Sequence, residues 1–136
     1  MERIQSPRTD DDGIEAEIRA KGLTAPRVTP VDIDRNIVSE HYFTAEEGRQ
    51  GAAYAAEGAF DPGAVPALNL LTFCVLVLRN GFTVTGESAC ASPENFDAEV
   101  GKKIARANAV QKVWPLMGYA LRNQLHDSNA LLSRAP

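Results

Sequence analysis

The chain lacks most of the features by which a sequence declares an activity. Its 136 residues include only two cysteines and two histidines, Cys74, Cys90, His41 and His126, with no CxxC or HxxxH pair among them. A protein-built metal centre needs three or four ligands at suitable spacing, so no metal site is expected. The phosphate-binding pattern GxxxxGK[ST] is absent, which removes the nucleotide-hydrolase class that depends on it. There is no internal repeat and no low-complexity tract, and nothing implies a cofactor. No apolar run is long enough to span a membrane, and Met1 to Gly22 lacks the apolar core of a secretory leader. A basic excess is missing too: 18 acidic against 14 basic residues give a net charge of −4. That balance argues against a general nucleic-acid binder, which is usually basic.

What is present is organised around Leu70 to Leu125. Asn80-Gly81 lies between two β-prone runs, a pattern that predicts a β-hairpin closed by a two-residue type I′ turn. In that register Arg79 faces Phe82, Val77 faces Val84, and Val75 faces Gly86. One face would carry Phe73, Val75, Val77, Phe82 and Val84. The other would carry Leu70, Cys74, Leu76 and Leu78, opposite Thr83, Thr85 and Glu87. The first strand is apolar on both sides, so both sides want cover.

Ser92-Pro93 reads as a helix start, with a serine cap and a proline at the first position. Acids follow at the positive end and Lys102, Lys103, Arg106 and Lys112 toward the negative end. At 100° per residue, Phe96, Val100, Ile104, Ala107, Val110 and Trp114 form the stripe predicted to cover the sheet. Gly101, Ala105 and Ala109 recur every fourth residue on the far side. They either let a second helix approach closely or reflect the helix preference of alanine. Trp114-Pro115 should break or kink the helix.

Upstream, residues 1–28 read as a variable, partly disordered arm, with a short helix from Asp11 to Lys21 stopping at Gly22. Thr29-Pro30-Val31-Asp32 is a well-formed helix start, with Ile33, Ile37 and Val38 as its buried edge. Ser39 to Ala45 (SEHYFTA) is taken as the end of that helix, with Phe43 docking in the core. Residues 46–68 are rich in Gly, Ala and Pro and read as a long loop holding one helical turn at most. Residues 29–125 therefore form one domain, and 126–136 a mobile tail.

Two blocks, LLTFCVLVLRNGFTVTGESACASPENFDAEVGKKIARANAV and KVWPLMGY, together with SEHYFTA, closely resemble the gene-product-49 family of tailed-phage and prophage proteins. The resemblance covers roughly residues 30 to 125. It implies a phage origin, a shared fold and, by extension, the bacterial host cytoplasm, where both thiols stay reduced. It brings no activity and no site residues.

The candidate site is therefore read from residue chemistry. The stretch Gly86 to Ser92 precedes a helix and offers N–H groups and hydroxyls suited to a small anionic or nucleotide-like ligand. Glu87, Ser88, Cys90 and Ser92 belong to it, and Lys103 and His41 are added as polar groups at the edge of apolar surfaces. Set against this, a serine before a helix is accounted for by capping alone, and Lys103 is placed where a lysine can lay its stem on apolar surface and keep its charge in water. A thiol enzyme centred on Cys90 is a further reading; against it, cysteine is a common small buried residue. The basic residues of the long helix are already accounted for by the helix dipole.

The expected fold is α+β: a small antiparallel hairpin sheet packed by a long C-terminal helix and a shorter N-terminal one. A two-stranded sheet is marginal alone. Leu76, Leu78, Gly101, Ala105 and Ala109 are accordingly assigned to an interface in a homo-oligomer. The function that fits is a non-enzymatic, oligomeric phage accessory protein that binds a host protein or modulates host defence.

Overall fold

The computed structural model describes residues 10–133. The first nine residues of the arm and the last three of the tail lie outside them. The described chain runs α1 (Asp10–Ala20), α2 (Pro30–Asn36), β1 (Ile37–Thr44), α3 (Ala45–Glu57), β2 (Leu71–Leu78), β3 (Thr83–Ala89) and α4 (Ala98–Ser133). Short 3-10 turns at Pro66–Leu70 and Pro93–Asn95 introduce β2 and α4. The fold is α+β. The sheet, however, has three antiparallel strands in the order β1-β2-β3 rather than two.

The third strand is SEHYFTA. Helix α2 begins where expected: Thr29 Oγ1 accepts from Asp32 N, and the Asp32 carboxylate accepts from Thr29 N. It ends after seven residues, and the chain passes directly into β1. Tyr42 pairs with Cys74 and Phe43 with Phe73. A register irregularity between Ile37 and Ser39 lets Ile37 reach the core while Val38 stays exposed. Phe43 is 36% exposed rather than docked in the core; its ring meets Phe73 at 5.8 Å between centroids.

The hairpin turn is a three-residue one. Leu78 N donates to Phe82 O and Gly81 N donates to Leu78 O. Gly81 alone has positive φ, at 89°. This is a turn closed by a left-handed glycine, with Asn80 Oδ1 accepting from Phe82 N at 2.9 Å. The register is thus one residue from the expected one: Val77 pairs with Thr83, Leu76 with Val84, and Cys74 with Gly86. One residue of shift moves a side chain to the other face. Val84 consequently joins Cys74, Leu76 and Leu78 in the core.

Helix α4 packs on that face with the small-residue stripe. Gly101, Ala105, Ala109 and Val113 are buried, while Val100 and Ile104 are 52% and 39% exposed. The reason is steric. Gly86 has no side chain, and a Cβ there would collide with the Ala105 carbonyl and the Ala109 amide. The helix backbone therefore rests on β3, and the large side chains filling the layer come from the sheet. Leu76, Leu78, Gly101, Ala105 and Ala109, assigned from sequence to an interface between copies, are buried against one another within one chain.

Three further departures concern helices. Ser92 makes no capping bond; Asp97 Oδ1 accepts from Val100 N at 3.0 Å and starts α4 instead. Pro115 lies inside α4, which continues through it. Pro115 and Gln111, the residue whose carbonyl loses its helical donor, are both exposed. The stretch read as a loop holds the 13-residue α3, opened by a reciprocal cap between Thr44 and Glu47 and closed by Gly58 at φ 72°. Helix α1 is tied to the chain by a two-pronged pair, Arg27 to Glu15 at 2.6 Å on each prong. Trp114 Nε1 also donates to the Asp11 carboxylate at 3.3 Å.

Candidate functional site

The polar centre of the molecule is buried between β1 and α4. Glu40 is 3% exposed and Arg106 is 7% exposed. Arg106 Nε and Nη2 each lie 3.0 Å from Glu40 Oε2, and Nη2 lies 3.5 Å from Asp34 Oδ1. The Tyr42 hydroxyl donates to Glu40 Oε1 at 2.9 Å. Both carboxylate oxygens of Glu40 are thereby engaged, which is the condition under which a buried charge is tolerated. Burial, aided by the bond to Glu40, holds the Tyr42 phenol well above its ordinary range. Burial likewise pushes the Cys74 thiol up to about 11. Burial works against the Arg106 charge, but the hydrogen bond and attraction of Glu40 outweigh it, and the guanidinium stays protonated. The cluster fastens β1 to α4; its groups are engaged with each other rather than turned toward a substrate. Sequence periodicity hides it, because Glu40 and Arg106 are far apart in the chain.

The stretch Gly86 to Ser92 is not a free loop. Gly86 through Ala89 belong to β3, and Cys90 N donates to Leu70 O at 2.9 Å, extending the pairing with β2. A cavity of about 260 Å³ lies beside its end and the start of α4. Ser88 and Cys90 line it, with Leu70, Phe96 and Ile104 as apolar walls. Cys90 Sγ donates to Ser92 O at 3.1 Å. Glu87, Ser92, Lys103 and His41 do not line the cavity. Glu87 is exposed on β3, 4.0 Å from Lys112 Nζ. Its carbonyl accepts from Asn108 Nδ2 at 2.8 Å. His41 is exposed on β1, with Nε2 3.1 Å from Ser39 Oγ, and neither histidine lines the cavity that holds Cys90. Lys103 is exposed on α4.

Thr72, which sequence reading passed over, also lines this cavity. It is 3% exposed, and its Oγ1 has no hydrogen-bond partner among the described residues. Gly101 sits over it; a Cβ on that glycine would stand 3.1 Å from the hydroxyl oxygen. Among the described residues no group of three or more His, Cys, Asp or Glu side chains is placed to hold a metal ion. No helix among them is long and apolar enough to cross a membrane.

No curated protein and no solved structure matches the chain. A family profile does, over residues 28–125, a span that takes in α2, the whole sheet, α3 and most of α4. The chain belongs to the Phage protein (N4 Gp49/phage Sf6 gene 66) family.

Proposed function

We propose that this phage-family chain is a non-catalytic accessory protein that works as a self-associating binding module in the bacterial host cytoplasm, with a host protein as its target. The observation that supports this reading is the outer face of the sheet. Helix α4 covers one face only. The other carries Leu71, Phe73, Val75 and Val77 on β2, each half-buried, with Phe43 beside them on β1. Helix α3 reaches this face at Phe43, where a Cβ on Gly48 would stand 3.6 Å from the ring. Toward Val75 and Val77 the neighbours are Ser39, His41, Thr83 and Thr85.

A contiguous apolar row rimmed by hydroxyls is the character of a protein–protein contact. Among the described residues, His41 on β1 and Glu87 on β3 are the only titratable side chains that the three strands place on this face, so two copies meet without strong like-charge repulsion. A two-fold interface needs one self-complementary patch, and this face supplies it. Covering a half-exposed valine or phenylalanine contributes part of the roughly 1.5–3 kcal/mol that full burial gives. Self-association thus rests on a different surface from the one the sequence suggested. Val75→Glu tests it by sedimentation velocity. The variant should sediment as a monomer with its circular dichroism unchanged, while Val100→Glu, on the exposed side of α4, should behave as wild type. Equal sedimentation of wild type and Val75→Glu would remove the support for this reading.

A further inference from the structure

Helix α2, the hairpin turn and the far half of α4 enclose a cleft of about 470 Å³, and it shares no lining residue with the cavity at Cys90. It depends on α4 continuing past Pro115, since Met117, Leu121 and Gln124 line it. Arg79 N donates to Asn36 O at 2.9 Å, which ties the turn to the end of α2 and sets Arg79 at the same cleft as Arg35. Both arginines are exposed, and among the described residues neither guanidinium has a carboxylate at salt-bridge distance. The other charged groups at the cleft are engaged. Arg27 is held by both oxygens of Glu15, and the Asp32 carboxylate accepts from Thr29 N. In a chain of net charge −4, two uncompensated guanidinium groups at one concave surface stand out.

We infer that this cleft binds a small phosphate monoester, the phosphate held by Arg35 and Arg79 and the apolar body lying on Met117 and Leu121. Each guanidinium presents a planar fork of donors matched to oxyanions, and a phosphate has enough oxygens to serve two forks. The cleft is open and lined mostly by polar residues, with Val28, Met117, Ala120 and Leu121 as its apolar part, a lining that suits a small organic anion. A nucleic-acid backbone fits less well, because it would have to lie along an acidic protein. The inference does not depend on self-association.

The test is a titration of the full chain followed by two-dimensional NMR, with phenyl phosphate, inorganic phosphate, phenol and a short DNA duplex as probes. Phenyl phosphate should shift the side-chain amides of Asn36 and Gln124 and the Arg79 signals. It should bind several-fold more tightly than inorganic phosphate, and phenol should leave these signals unmoved. Arg79→Gln and Arg35→Gln should each weaken phenyl phosphate at least fivefold with the remaining spectrum unchanged. Met117→Ala should narrow the preference for phenyl phosphate over inorganic phosphate. The inference is overturned if phenyl phosphate causes no shifts at millimolar concentration, if both arginine variants bind it as wild type does, or if phenol binds equally well. It is also overturned if the duplex binds more tightly than phenyl phosphate through the same arginines.

Discussion

At the scale of single residues, two buried groups make opposite demands. The Thr72 hydroxyl is buried without a partner, and an unmade hydrogen bond of that kind costs about 1–3 kcal/mol. Thr72→Val keeps the shape and removes the oxygen, so it should raise stability by about 1 kcal/mol in urea titration; a loss of stability would mean the hydroxyl is satisfied. Cys74 lies deep in the core, and burial raises its folded pKa from about 9 to about 11. The unfolded chain therefore releases this proton first as the solution becomes alkaline, and the folded state is the one that binds it. Stability due to the neutral thiol is full below pH 9 and is lost as pH rises from about 9 to about 11. Tyr42, shifted in the same direction by burial, adds to the alkaline loss. A melting temperature followed across that window should fall for wild type and fall less steeply for Cys74→Ala. Equal slopes would place the titrating group elsewhere.

At the scale of elements, the decisive contact is a glycine on a strand beneath a helix. Gly86→Ala forces a Cβ into the α4 backbone at Ala105 and Ala109, neither of which can turn aside. The variant should lose cooperative unfolding or most of its stability. Gly118→Ala, at an exposed helix position with open space around it, should instead gain up to about 1 kcal/mol from helix propensity. Two glycines that changed stability alike would contradict this packing. The same contact explains what could be read from the sequence. The hairpin, the Thr29 cap and the long helix carry local signals, and each is present. The choice between the Val100/Ile104 stripe and the Gly101/Ala105 stripe is not local. Both have helical period, and the selection is made by Gly86 on another element. Asn-Gly serves turns of two and of three residues, so it located the hairpin but left the register one residue off. Strand β1 was hidden because its alternation includes a buried Glu40 whose partner is Arg106. Helix α3 was hidden because its sequence, AEEGRQGAAYAAE, buries no residue fully. Of the candidate site, Ser88 and Cys90 do line a cavity, whereas the arginine cleft is not legible while a break or kink is expected at Trp114-Pro115, which leaves the direction of the helical segment beyond it open.

At the scale of the whole molecule, α4 covers one face of a three-stranded sheet, while α3 reaches the other near Phe43 and leaves Val75 and Val77 half-buried, and that imbalance is the basis of the functional reading. The buried Glu40–Arg106 pair and the Gly86 contact fix α4 to one side, so no rearrangement within the domain brings it to Phe73, Val75 and Val77. In the proposed reading a second copy, or a host protein of complementary shape, covers that face. Self-association is the part of this claim that a single quantity decides. Light scattering on the wild-type chain, whose mass is 14.7 kDa, should give about twice that mass at micromolar concentration and fall toward it over a hundredfold dilution. A mass of 14.7 kDa throughout the series would contradict the account.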